Sequence, residues 1–134
     1  IKDELLKLPG VFIPGNVPQK QLAREFMKSA LLLYPNTFEE TSCITALEAQ
    51  AGGCAIVTSD LGALSETVGA AGILINETPG TEAYIREMVS AADRVLSDDT
   101  LFENLSRSAR EQSKRFDWKV SAADLLETID SIKR

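Results

Sequence analysis

Three short runs that are almost wholly apolar, Leu31-Leu-Leu-Tyr34, Cys54-Ala-Ile-Val-Thr58 and Gly72-Ile-Leu-Ile75, stand between segments of helical spacing. A continuous apolar run of this length suits a strand buried on both faces, and such strands belong to parallel sheets whose crossover helices cover both sides. The intervening segments fit that plan. Gln19 to Ala30 sets Leu22, Phe26 and Ala30 on one side, Cys43 to Gln50 begins a helix whose apolar stripe is Ile44, Leu47 and Ala51, and a short helix runs from about Ala63 to Val68. Val11-Phe-Ile-Pro14 reads as a further strand ahead of the turn Gly15-Asn-Val-Pro18, with Pro18 suited to a first helical turn. Thr41 and Ser42 are candidate caps for the helix that follows, and Gly52-Gly53 is its stop. From Thr81 the pattern is helical: Glu82 to Leu96, Asp98 to about Arg115, then Trp118 to Arg134 after a Phe116-Asp-Trp118 corner. The fold class is therefore α/β, a partial doubly wound parallel sheet over residues 11–75 with helices on both faces, followed by C-terminal helices over about 81–134.

A chain of 134 residues with 44% apolar content makes one globular domain. Its net charge of −6 argues against a nucleic-acid partner or an anionic membrane surface, both of which need a basic face. No run approaches the roughly 20 apolar residues of a membrane span. Cys43 and Cys54 have neither metal spacing nor a disulfide framework around them, so a reducing, cytoplasmic setting is expected, and no metal site. The chain has no histidine, which removes the commonest general base and zinc ligand.

The stretch Pro35 to Gly53 carries the chemistry. Glu40 and Glu48 bracket seven residues across a junction from a strand's carboxyl end to the next helix. Ligands of doubly wound sheets sit outside those carboxyl ends, where a helix N-terminus offers unpaired amides to phosphate. The amides of Ser42, Cys43 and Ile44 would serve there. Glu40, in the loop, can accept hydrogen bonds from sugar hydroxyls, and Glu48, just over a turn into the helix, from the vicinal hydroxyls of a ribose. A structural reading competes: Thr45-Ala-Leu-Glu48 has capping-box spacing and Glu40 is a solvated acid. Glu48 beside Ile44 and Ala51 would border the apolar face, and an acid so placed needs a partner. Cys43, at a helix start, has the position of an activated thiol, but without a basic neighbour it reads better as a small lining residue.

At these residues the sequence resembles a family. Phe38-Glu-Glu-Thr-Ser-Cys-Ile-Thr-Ala-Leu-Glu-Ala-Gln-Ala-Gly-Gly53, continued to Ser59, is similar to the Glu-x7-Glu signature of the group 1 (GT4) retaining glycosyltransferases of GT-B fold. The likeness extends upstream through Val11, Ile13 and Gly15-Asn-Val-Pro18, and downstream through Gly62-Ala-Leu-x-Glu66 and Phe116-Asp-Trp118. It implies that Glu40 contacts the donor hexose and Glu48 the ribose, that the amides of Ser42, Cys43 and Ile44 face hexose and diphosphate, and that Asn16, Val17 and Pro18 lie by the base. Thr41, Cys43 and Thr45 depart from the family, where many members have glycines and a proline. The family's basic diphosphate-binding residues and its acceptor-binding domain have no counterpart in these residues, so the resemblance places this chain in the later part of a C-terminal, donor-binding domain.

The expectation is thus the donor-binding part of a retaining enzyme that moves a hexose from a nucleotide-sugar to an acceptor glycan, lipid or small molecule, without cofactor or metal. The acceptor would be held by the missing domain, and the chain alone would be inactive. A longer parent would be cytoplasmic or peripheral to a membrane. A nucleotide-sugar epimerase of the same fold and a non-catalytic binding module remain as alternatives. NAD binding ranks low, because no strand is followed by Gly-x-Gly-x-x-Gly. In the doubly wound order, strands between 11–14 and 31–34 are lacking. Either the first strand rearranges or the open edge pairs with another copy in a homo-oligomer.

Overall fold

A computed structural model describes residues 1–132. Helices α1 (Lys2–Leu5) and α2 (Gln19–Phe26) precede strand β1 (Leu31–Tyr34); α3 (Ile44–Gly52) leads into β2 (Ala55–Ser59), and α4 (Leu64–Val68) with a 3-10 turn at Gly69–Ala71 into β3 (Gly72–Ile75). Then come α5 (Glu82–Ser97), α6 (Asp99–Lys114) and α7 (Trp118–Ile132). The strands make one parallel sheet in the order β1-β2-β3, with Leu31 opposite Ala55 and Ile56 opposite Gly72.

All five residues of β2 are buried, which explains why this segment has no polar alternation. Ala55 and Val57 pack with Ile75, Tyr84, Met88, Ala91, Val95 and Leu105 under α5 and α6. Ile56, one residue out of phase, packs on the opposite face with Cys43 and Ala46 of the α3 region and Leu64 and Val68 of α4. Phe26 of α2, Ala49 and Cys54 form a third cluster beside these. Small residues let α3 approach closely: a Cβ on Gly52 would strike the backbone of Phe26. Gly53 closes α3 in the left-handed region (φ 90°), where glycine is unstrained, and Cys54 N–H then returns to Ala49 O at 3.0 Å. Asp98 caps α6, accepting from Leu101 N–H at 2.9 Å, and Thr81 caps α5.

Several expectations are corrected. Val11–Pro14 forms no strand. Among the described residues no strand pairs with it, Phe12 is 83% exposed, and Pro14 has no N–H to donate, so the run stays irregular. The first strand has therefore not rearranged into the sheet. Helix α2 stops at Phe26, and Ala30 already leads into β1, its carbonyl accepting from Ala55 N–H at 2.9 Å. Neither Thr41 nor Ser42 caps α3. Its N-cap is Cys43, without a side-chain hydrogen bond. The buried face of α3 is Ala46, Ala49 and Gln50, whereas Ile44 is 68% exposed and Ala51 is exposed. The helix turns its small residues, which allow close packing, toward the sheet and α2. Helix α7, read from the sequence as a helix from Trp118, is found there with no buried residue. Residues 133 and 134 of the expected last helix lie outside the described residues.

Among the described residues strand β1 has a partner on one side only, and Leu33 on it is 45% exposed. An unpaired apolar edge templates association. Sedimentation equilibrium on the 134-residue chain should show concentration-dependent dimers, abolished by Leu33→Lys; a monomer across the micromolar to millimolar range excludes pairing through this edge.

Candidate functional site

The loop after β1 is held by buried polar groups. Thr58 Oγ1 donates to Tyr34 O at 2.8 Å, Asn36 N–H donates to the same carbonyl at 2.9 Å, and Ser59 Oγ, itself bonded to Tyr84 Oη at 2.7 Å, donates to Asn36 O. Asn36 is 2% exposed and folds the loop back on itself, accepting from Phe38 N–H at 3.1 Å and donating to Phe38 O at 2.6 Å. Such an Asx turn is a local alternative to secondary structure that asparagine favours.

Glu40 follows directly and is fixed twice. Its carbonyl accepts from Ala63 N–H at 2.7 Å, in the turn after β2. Gly62 in that turn has φ 55° and lies so close that an added Cβ would meet the Glu40 backbone, including its nitrogen at 2.7 Å. The Glu40 carboxylate accepts from Tyr34 Oη at 2.7 Å through Oε1. This hydrogen bond is the main reason the Tyr34 phenol is pushed up from 10.0 to about 12, helped by desolvation and by the neighbouring Cys43.

Glu48 does not make the capping box that Thr45-Ala-Leu-Glu48 suggests. Its Oε1 accepts from Gln19 Nε2 at 2.9 Å instead. Gln19 opens α2, and Pro18, the N-cap, accepts from Gln21 and Leu22 N–H at 2.8 and 3.0 Å. The structure therefore brings the turn of Asn16, Val17 and Pro18 to Glu48, although they are 30 or more positions apart in sequence. With Ile44 exposed, the sequence argument that Glu48 borders an apolar face does not hold; its partner is Gln19. Cys43 is buried against Tyr34 and Ile56 and lines the site. Among the described residues no hydrogen bond occupies the amides of Ser42, Cys43 or Ile44.

Sequence reasoning missed Tyr34, Gln19, Asn36, Ser59 and Gly62. In the sequence Tyr34 reads as the last residue of an apolar strand, and its polar tip gives no periodic signal. Pro35-Asn-Thr37 is legible as a turn, so Asn36 was accessible to a closer reading. No three His, Cys, Asp or Glu side chains cluster as a metal site would require, among the described residues.

Comparison with known proteins bears on this site. The family profile described as glycosyl transferases group 1 matches residues 1–98. The chain belongs to the group 1 glycosyl transferases. A D-inositol 3-phosphate glycosyltransferase of Nocardioides sp. is 30% identical over 118 residues, 87% of this chain and 24% of that protein. One from Stackebrandtia nassauensis is 32% identical over 117 residues, 85% of this chain and 25% of that protein. A phosphatidyl-myo-inositol mannosyltransferase of Mycobacterium tuberculosis is 27% identical over 120 residues, 88% of this chain and 32% of that protein. This group 1 chain thus spans a quarter to a third of the length of these relatives. In three dimensions it resembles sucrose-phosphate synthase from Thermosynechococcus elongatus, with TM-score 0.73 and 23% identity over 91% of this chain and 30% of that one. That likeness fixes the fold as GT-B, as the sequence motifs implied.

Two outcomes follow from the geometry. Gly62→Ala should destabilise the chain by roughly 1–3 kcal/mol, since a Cβ there must displace the Glu40 backbone from a left-handed turn, and a urea midpoint unchanged from wild type would refute that clamp. The Tyr34 phenol titrates higher folded than unfolded, so its bond contributes stability that is complete below pH 10.0 and lost as pH rises to about 12. Thermal melts of Tyr34→Phe should lack that component of the alkaline decline, and a decline identical to wild type contradicts it.

Proposed function

We propose that this chain is the nucleotide-sugar donor-binding part of a retaining glycosyltransferase that transfers a hexose to an acceptor. One observation carries the reading. The turn at 16–18, Glu48 and the unoccupied amides at the start of α3 belong to one connected surface, joined by the 2.9 Å bond from Gln19 to Glu48. On this surface each part of a nucleotide-sugar has a chemical counterpart. Glu48 accepts from the ribose hydroxyls, the amides of Ser42, Cys43 and Ile44 face the diphosphate and hexose, Glu40 accepts from a hexose hydroxyl, and Asn16, Val17 and Pro18 border the base.

Family membership supports the reading, as do the names of the relatives, a D-inositol 3-phosphate glycosyltransferase and a phosphatidyl-myo-inositol mannosyltransferase among them. In the whole enzyme the fixed amides would stabilise the leaving diphosphate, while the acceptor attacks the face it vacates. Donors already oriented toward developing charge need no reorganisation during reaction, which is where such sites gain most of their rate. No side chain here acts as sole catalyst, the donor complex needs neither metal nor cofactor in this reading, and transfer by this chain alone should be negligible.

Calorimetric titration of the chain with UDP-glucose, GDP-mannose and ADP-glucose tests the proposal. Saturable binding of at least one, weakened about tenfold or more by Glu48→Ala, is the expected result, since that change removes a charged acceptor. Binding indifferent to Glu48→Ala, or none with any of the three, overturns it.

A further inference from the structure

Glu40 is the more firmly held of the two acids, and the group that holds its carboxylate ends the strand just before it. We infer that Tyr34 is the positioning residue for Glu40: by donating its phenolic hydrogen to Oε1, it leaves Oε2 as the carboxylate oxygen that receives the sugar hydroxyl, and so sets which sugar the site accepts. The inference deepens the donor-binding reading and rests on it.

The geometry argues for this role. Tyr34 is the last residue of β1, its backbone held by the ladder to Thr58 and by two donors on its carbonyl. Its ring packs with the cluster of Cys43, Ala46, Ile56, Leu64 and Val68. The phenol therefore starts from a fixed point and reaches across a loop of five residues, 35–39, to Glu40 at 2.7 Å. The backbone of Glu40 has its own independent anchors, Ala63 N–H and the close approach of Gly62. The Tyr34 bond is thus superfluous for holding the loop and fixes only the carboxylate. Oε2 makes no hydrogen bond among the described residues, and the half-buried side chain has one oxygen committed and one available. A carboxylate with free torsions accepts a hydroxyl from many directions, whereas one with a committed oxygen accepts it from few, which lowers the ordering cost of binding and narrows the choice of sugar stereochemistry.

Tyr34→Phe keeps the ring and removes the donor. Calorimetry would compare UDP with UDP-glucose and GDP with GDP-mannose for wild type, Tyr34→Phe, Glu40→Gln and the double variant. The expected result is about tenfold weaker binding of the sugar nucleotide in Tyr34→Phe, with the bare diphosphate within about twofold, and no further loss when Tyr34→Phe is added to Glu40→Gln. Equal weakening of UDP and UDP-glucose, or losses that multiply in the double variant, would overturn the inference. A second readout needs no ligand: NMR order parameters in the free chain should fall below about 0.6 for the Glu40 side-chain methylenes in Tyr34→Phe, while those of the Phe38 to Ser42 backbone stay put. An unchanged Glu40 side chain refutes the positioning role even if no sugar nucleotide binds, an outcome that by itself sinks only the donor-site reading. Should Tyr34→Phe not fold, alkaline absorbance of Glu40→Gln decides: Tyr34 ionising at lower pH than in wild type supports the contact, and no change removes it.

Discussion

Two hydroxyls at the carboxyl end of β2 hold the candidate site in place. Thr58 and Ser59 are wholly buried, and a buried hydroxyl must find a partner or cost about as much as a lost hydrogen bond. Their partners are the carbonyls of Tyr34 and Asn36, the last residue of β1 and the first turn of the loop beyond it. The central strand thereby dictates where the neighbouring strand ends and in which direction its loop departs. Everything after it follows: the Asx turn at Asn36, the clamp of Gly62 and Ala63 on Glu40, and the start of α3 at Cys43. The site is rigid because its supports are satisfied polar groups inside the core.

The parts of this architecture that were legible in the sequence are those whose signal is local or continuous. Leu31–Tyr34, Ala55–Ser59 and Gly72–Ile75 announce themselves as strands because each is a continuous apolar run with polar groups, where it has any, at its end, although only Ala55–Ser59 is buried throughout. Gly53 and Asp98 are legible as helix boundaries because their conformational role is intrinsic to the residue. Val11–Pro14 was misread because β-branched and aromatic content marks only a capacity to pair; a strand also needs a neighbour, and this run has none among the described residues. The face of α3 was misread for a related reason. Ile44 and Leu47 are the larger apolar residues, but the helix buries Ala46 and Ala49 together with Gln50, and it lies close to α2 at Gly52.

The ends of the chain show the same dependence on context. Helix α7 has an amphipathic sequence, yet Trp118 is 88% and Leu126 64% exposed, and none of its residues is buried. Leu6, Leu8 and Phe12 near the start are also exposed. The core closes without either segment, from α2 to α6 around three strands. Within the described residues, fold and candidate site depend on the span from Asn16 to Lys114.

The two acids differ in how they are held, and the difference bears on what each can do. Glu48 is met by Gln19, an exposed amide with three side-chain torsions, able to swing aside or to join in binding whatever Glu48 accepts. Glu40 is met by a phenol whose ring is packed and whose backbone is pinned, so its geometry persists whether or not a ligand is present. On the donor-binding reading, the ribose is gripped by an adaptable pair and the hexose by a fixed one. Nucleosides share a ribose, so tolerance there loses little, whereas hexoses differ only in the direction of single hydroxyls. Discrimination among such ligands requires an acceptor that does not move to meet the wrong one. On that reading, the fixed contact of Tyr34 with Glu40 stands where stereochemistry has to be read.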